Sequence, residues 1–307
     1  MNTKAYSILD LRTKSLDWMM AILQRAKEIE TQLQNKTWQA PFKDQVALNL
    51  FFEESTRTRI SFEMALHHLG IKSIAFDVKM SSNKKGESLQ DMVQNLEALG
   101  VSAFIVRHSS PGAVHEIDAV VSCPVINAGD GINEHPTQAL LDIYTLQSYW
   151  AHHFKEKKVL ICGDIKHSRV AHSNIWALNK LGVKVYVTGP ASLMPKNLGD
   201  FAVEYVKDLD SILPEVDAIN VLRIQAERQA AEDLQNSQQY REQFGLTLER
   251  LRKCAPKTLI LHPGPMNRGV EIDSEVAESP QTVILEQVKK GVFVRMACIE
   301  YCLSFYA

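Results

Sequence analysis

Five consecutive residues, Ser55-Thr56-Arg57-Thr58-Arg59, set three hydroxyls beside two guanidinium groups. That combination suits a phosphate. A guanidinium fork meets two phosphate oxygens at once, and the hydroxyls add further donors. The flanking residues say where the cluster sits. Residues 46–52 are an apolar run that reads as a buried strand. Ile60-Ser61-Phe62-Glu63-Met64-Ala65-Leu66 has apolar residues at helical spacing. The motif is therefore expected where a strand hands over to a helix N-terminus. The first N–H groups of a helix have no partners inside it, and the helix dipole favours negative charge there. A helix cap needs one hydroxyl and no arginines, so capping alone does not account for the cluster.

Other groups recur at matching places. Arg107-His108-Ser109 follows an apolar run at 103–106. His135-Pro136-Thr137-Gln138 opens a long helix after Gly129-Asp130-Gly131. The fixed φ of Pro136 suits a first helical turn, which leaves His135 at the helix mouth. A neutral imidazole there can donate to a carbonyl oxygen; the other reading is a surface histidine near the cap. Arg169 lies on the first strand–helix turn of the second half. Arg223 and Gln225 follow 218–221, and His262-Pro263-Gly264-Pro265 follows 259–261. Singly, each reads equally well as a solvated loop residue. Together they place cationic and hydrogen-bonding groups along one edge of two sheets. Nucleotide motifs are absent: the first cluster lacks the glycines and Gly-Lys-Ser/Thr of a P-loop. Gly163-Asp164-Ile165-Lys166-His167-Ser168-Arg169 has one glycine where a dinucleotide fingerprint has three.

The elements that must carry these residues alternate along the chain. Strands are expected at 46–52, 71–76, 103–106, 125–127, 159–162, 183–187, 218–221 and 259–261. Amphipathic stretches lie between them, such as Leu89, Met92, Val93, Leu96 and Leu99 with Gly100 as a stop. This is an α/β pattern of mostly parallel sheets covered by helices, in which ligands bind beyond the carboxyl ends of strands. A helix at 136–150 and a polar stretch after it suggest two domains. The first is 1–135, joined by a C-terminal helix at about 285–307, which can bend at Gly291. The second is 136–284, including the interdomain helix. Residues 223–244 are rich in Gln, Glu and Arg, and read as a solvated, mobile loop and helix.

Composition narrows the classes. The chain has 307 residues, 45% apolar and 23% charged, with a net charge of -2. No general basic surface points to nucleic acid or a membrane, so a phosphate must be held by a local cluster. No run resembles a signal peptide or a membrane span. Five scattered cysteines fit reduced, buried thiols in a cytoplasmic protein. Cys298 and Cys302 can share a helix face, as core residues or, less economically, as half of a metal site.

The three motifs Ser55-Thr56-Arg57-Thr58-Arg59, His135-Pro136-Thr137-Gln138 and His262-Pro263-Gly264-Pro265 resemble the signatures of the carbamoyltransferases, in that family's order and spacing. Lys84-Lys85-Gly86-Glu87 resembles the family's mobile loop, supplied by a neighbouring subunit. Thr137 and the stretch from Leu222 to Arg228 resemble the aspartate branch rather than the ornithine branch. The resemblance implies carbamoyl transfer from carbamoyl phosphate to aspartate, a step of pyrimidine synthesis, in a homotrimer with shared sites. It implies that Ser55, Thr56, Arg57, Thr58 and Arg107 bind the phosphate. Thr58, Arg107 and His135 would donate to the carbonyl oxygen. Gln138 and the carbonyls of Pro263 and Gly264 would hold the carbamoyl amine. Arg169, Arg223 and Gln225 would hold aspartate, and Ser81 and Lys85 would reach in from the adjacent subunit. The Gly264–Pro265 bond is expected to be cis. No metal and no cofactor are implied; regulatory chains or a partner enzyme stay open.

One departure qualifies the resemblance. Glu54 departs from the family pattern, in which an uncharged residue usually precedes the phosphate motif. It would point to solvent or pair with Arg59. Two other readings also stand: an ornithine-type amine, with Glu227 the nearest carboxylate, and a protein that binds without catalysis.

Overall fold

The computed structural model describes residues 4, 6–76, 87–199, 201–224 and 237–306. Ser81, Lys84, Lys85, Gly86, Gln225 and Glu227 lie outside these. The chain divides into two compact units, Met1–Leu141 with Val288–Ala307, and Asp142–Gln287.

The first unit runs α1 (Leu16–Gln34), β1 (Val46–Phe51), α2 (Thr56–Leu69), β2 (Lys72–Ala75), α3 (Leu89–Ala98), β3 (Ala103–His108), α4 (Ala113–Val120), β4 (Val125–Asp130) and α5 (Pro136–Trp150), the last passing into the second unit. Its sheet has the order β2-β1-β3-β4, with every pairing parallel. Leu48, Leu50, Phe104, Val106 and Val125 meet Val93, Val114 and Ile117 from the covering helices in one apolar core. β4 is buried along its whole length, as expected of a strand covered on both faces. Helix α1 buries Met19, Ile22, Leu23, Ala26 and Ile29, a three- and four-residue repeat, and the Ser15 side chain caps it.

The second unit runs β5 (Lys158–Cys162), α6 (Arg169–Lys180), β6 (Lys184–Thr188), β7 (Val203–Tyr205), α7 (Leu209–Ile212), β8 (Ala218–Val221), α8 (Ser237–Phe244), α9 (Leu248–Leu251), β9 (Leu259–Leu261) and α10 (Ser274–Ala277). Its sheet has the order β7-β6-β5-β8-β9, again all parallel. Helix α11 (Ile284–Tyr306) follows, and its residues from Val288 belong to the first unit. There Arg25 of α1 bonds the Glu300 carboxylate through two nitrogens, at 2.7 and 2.8 Å.

In both sheets the strand order reverses once, between β1 and β3 and between β5 and β8. The connections on either side of such a reversal leave in opposite directions, and open a crevice at the carboxyl ends of those two strands.

Several expectations are corrected. Strand β3 runs two residues further than 103–106, so Arg107 and His108 are inside it, and Arg107 stands opposite Phe51. β4 likewise continues to Asp130. β7 is an addition to the expected strands: its three residues, Val203, Glu204 and Tyr205, alternate in burial but are too few to mark a strand. α8 is not simply solvated: Tyr240 and Phe244 lie in the second unit's core, four residues apart on one face. α11 runs as one continuous helix through Gly291. A Cβ at 291 would come within 2.5 Å of Arg295 Nη1, so the glycine makes room for that guanidinium, whose Nη1 donates to Ser61 Oγ of α2 at 2.7 Å. Among the described residues no helix is long and apolar enough to cross a membrane.

Candidate functional site

In the first unit the cluster from Ser55 to Arg59 occupies the turn out of β1 and the first turn of α2. Ser55 is the N-cap by position, yet its side chain makes no capping hydrogen bond. Ser55 and Thr58 are half-buried, while Thr56 and Arg57 are exposed. Arg59 Nε lies 3.6 Å from Glu63 Oε1 one helical turn on. Its carboxylate partner is therefore Glu63 rather than Glu54, which is exposed.

Arg107, on the strand next to β1, has its Nη1 within 3.4 Å of the Ala128 carbonyl. Its Nε is 3.1 Å from Glu53 Oε2, an ion pair. Both side chains are largely shielded from solvent. The sequence reading singled out Glu54 and passed over Glu53. Both residues lie beyond the end of β1 at Phe51, so strand alternation does not tell them apart; only the fold leaves Glu53 half-buried and Glu54 exposed.

The approach to His135 is held by side chains of the same unit. Asn127 Nδ2 donates to the Leu9 and Glu134 carbonyls at 2.7 and 3.3 Å, and Asn127 Oδ1 accepts from Gly129 N at 2.7 Å. The Glu134 carboxylate accepts from Leu11 N at 2.8 Å. Asp130 accepts twice from Gly112 N. Thus His135, buried at the mouth of α5, is delivered by a loop whose backbone is fixed on both sides. Thr137 and Gln138 of α5 are buried with it. Because β1, β3 and β4 are neighbours, the Ser55–Arg59 turn, Arg107 and the 129–135 loop leave the same sheet edge.

In the second unit Arg169 is the first residue of α6 and is 8% exposed. Ser168 caps that helix by accepting from Ala171 N at 3.1 Å. The preceding turn is closed by Asp164, whose Oδ1 accepts from His167 N at 3.0 Å. Arg223, half-buried, leaves β8, the strand beside β5. Asn267 Nδ2 donates to Ile224 O at 2.9 Å and ties that exit to the segment after β9.

The turn after β9 is clamped at several points. His262 Nδ1 accepts from Gly264 N at 2.7 Å, which places the ring proton on Nε2, 3.2 Å from Glu271 Oε1. Both side chains are fully buried. The Gly264–Pro265 bond is cis. His262 N donates to Gln287 Oε1 at 3.0 Å. Glu271 and Gln287 lie 9 and 25 residues beyond His262, and no local pattern marks them as its partners.

All five cysteines are free and buried. Burial pushes the thiols of Cys162 and Cys298 up to about 12 and Cys254 to about 11, so none is a ready nucleophile. Cys298 and Cys302 are core residues of α11. What the two sheet edges offer is a set of fixed cationic and hydrogen-bonding donors, suited to binding anions and stabilising developing negative charge.

The family description "Aspartate/ornithine carbamoyltransferase, carbamoyl-P binding domain" matches residues 6–148, and the family's "Asp/Orn binding domain" matches residues 155–302. The chain belongs to the aspartate/ornithine carbamoyltransferase family. Among its carbamoyltransferase relatives is the aspartate carbamoyltransferase catalytic subunit of Halothermothrix orenii, 44% identical over 95% of this chain and 92% of the relative. That of Desulfitobacterium hafniense is 45% identical over 97% and 94%. Solved carbamoyltransferase structures share the fold. Aspartate transcarbamoylase from Trypanosoma cruzi, in complex with carbamoyl phosphate and aspartate, superposes with a TM-score of 0.88 at 28% identity, covering 97% of this chain and 96% of the other. The catalytic subunit of the M. jannaschii aspartate transcarbamoylase does so with a TM-score of 0.87 at 31% identity, covering 98% of each.

Proposed function

We propose that this carbamoyltransferase moves the carbamoyl group of carbamoyl phosphate onto the α-amine of L-aspartate, releasing phosphate and N-carbamoyl-L-aspartate. The observation that carries the choice of acceptor is the placing of Arg169 and Arg223. They leave β5 and β8, the adjacent strands at the order reversal of the second sheet. Aspartate has two carboxylates, and two guanidinium groups on separate turns can each take one. The sequence similarity to aspartate carbamoyltransferase catalytic subunits supports the same acceptor.

Ser55, Thr56, Arg57, Thr58 and Arg107 bind the phosphate in this reading. The donors Thr58, Arg107 and His135 face the carbonyl oxygen. Gln138 and the Pro263 and Gly264 carbonyls accept from the carbamoyl amine. The neutral amine nitrogen of aspartate attacks the carbamoyl carbon and forms a C–N bond. Negative charge builds on the carbonyl oxygen, where fixed donors stabilise it more than in the ground state. The C–O bond to phosphate then breaks, and the departing phosphate takes the proton that the amine loses. The working unit is a homotrimer in which Ser81 and Lys85 complete a neighbour's site. It operates in the cytoplasm, a compartment that suits five free thiols, as a step of pyrimidine synthesis.

The test is product formation from carbamoyl phosphate by purified protein, with aspartate and ornithine assayed in parallel. Carbamoyl-aspartate alone is the expected product. Carbamoyl-ornithine alone would retain the phosphate site and overturn the roles of Arg169 and Arg223. No product with either amine would refute the reaction.

A further inference from the structure

A buried chain of amides stands behind the His262-Pro263-Gly264 turn. Gln287 Nε2 donates to Asp142 Oδ1 at 2.7 Å, and Gln287 Oε1 accepts from His262 N at 3.0 Å. Asp142 Oδ2 accepts from Asn174 Nδ2 at 2.8 Å and from Asn220 Nδ2 at 3.3 Å. Asp142, Asn174, Asn220 and Gln287 are all buried. The chain thus joins α5, α6, β8 and α11 to the first residue of the turn, within one unit. Burial of so many polar atoms is costly unless each finds a partner.

The chemistry of Asp142 gives the chain a direction. A carboxylate only accepts, whereas each amide has one donor end and one acceptor end. Asn174, Asn220 and Gln287 must therefore all turn their NH2 groups toward Asp142. That leaves the oxygen of Gln287 facing outward, where it receives the His262 N–H. With an amide at 142 the constraint is lost, and Gln287 can meet the His262 N–H with its own NH2, donor against donor.

We propose that Gln287, oriented by Asp142, is a positioning residue that sets the Pro263 and Gly264 carbonyls for the amine of carbamoyl phosphate. This rests on the reading above, in which those carbonyls accept from that amine. Gln287 fixes the backbone at His262, and the His262 ring fixes it again at Gly264 through Nδ1. Displacing the first point shifts carbonyls whose work is to recognise N–H groups. The residue therefore serves discrimination between carbamoyl phosphate and an isostere lacking those donors.

Acetyl phosphate, with a methyl group where carbamoyl phosphate has its amine, is the probe. In Gln287→Met and Asp142→Asn, kcat/KM for carbamoyl phosphate is expected to fall about tenfold or more, while the inhibition constant for acetyl phosphate stays within about twofold. The aspartate KM stays near the parent value. Asp142→Asn changes one atom's chemistry and no volume, so it keeps the test sound if Gln287→Met fails to fold. Equal weakening of both phosphates would mean general loosening and would overturn the proposal. So would unchanged use of carbamoyl phosphate in both variants. If the parent protein itself binds acetyl and carbamoyl phosphate equally, the amine-holding role of the turn fails, and this inference fails with it.

Discussion

Arg107 Nε lies 3.1 Å from Glu53 Oε2, so a carboxylate adjoins the arginine that the first unit sets beside its phosphate motif. The pair is short in space because β1 and β3 are neighbours: Phe51, two residues before Glu53, stands opposite Arg107 in the ladder. Glu53 thus holds the guanidinium at the sheet edge and moderates its charge.

Replacing Arg107 or Arg57 by alanine is expected to lower kcat by about a hundredfold to a thousandfold, the usual effect of removing one donor to a developing oxyanion. Circular dichroism should stay unchanged. Arg107→Lys keeps the charge and loses the fork, and should fall between the two. Steady-state kinetics on the three variants decide; a folded alanine variant with near-normal kcat removes that residue from the site.

Arg223→Ala should raise the aspartate KM by about tenfold or more, since a hydrogen bond to a charged group is lost. The KM for carbamoyl phosphate should hardly move. An unchanged aspartate KM argues against the carboxylate role.

Mixing tests the shared site. Arg57→Ala and Lys85→Ala chains, each inactive alone, should regain part of the activity after subunit exchange, because some mixed sites draw both intact residues. Exchange without recovery, with native mass spectrometry confirming mixed oligomers, would show that each chain is complete by itself.

The Asp10–His115 pair makes stability depend on pH in two windows. Burial works to raise the Asp10 carboxyl, but the His115 imidazole 3.7 Å away and the hydrogen bonds from Thr13 outweigh it and bring the group from 3.8 to about 2. Its folded value is depressed, so its contribution, about 2 kcal/mol, is complete above 3.8 and is lost as pH falls through about 2. His115 moves the other way: the Asp10 carboxylate, 3.7 Å from its Nε2, raises it above 6.5 against the effect of burial. Its contribution is complete below 6.5 and is lost as pH rises through the folded value. Urea unfolding of His115→Gln and the parent protein should show a stability difference that is largest below pH 6.5 and closes above it. A difference that does not change with pH would leave the pair without this role.

Gly70 ends α2 with φ of +78°, and a Cβ there would lie 2.4 Å from the Phe42 carbonyl oxygen. Gly70→Ala should therefore cost about 1–3 kcal/mol. Thermal unfolding reads this directly, and an unshifted Tm would mean that the 40–42 segment yields without cost.

Much of the molecule was legible in the sequence because elements are coded locally. Apolar spacing placed α2 and α5, with Pro136 as the first residue of α5, and most strands to within a residue or two. The phosphate motif, Arg169, Arg223 and the His262 turn could each be assigned to the carboxyl end of a strand. Strand order could not be read, because parallel pairing is settled by the packing of distant segments and not by any local pattern. That order alone puts the turns after β1 and β3, and after β5 and β8, side by side at the two reversals. The supports of those turns were equally hidden: Gln287 and Asp142 are 145 residues apart in sequence and 2.7 Å apart in space. A buried carboxylate and an amide must find partners wherever the fold brings them together, so only the tertiary structure decides who holds whom.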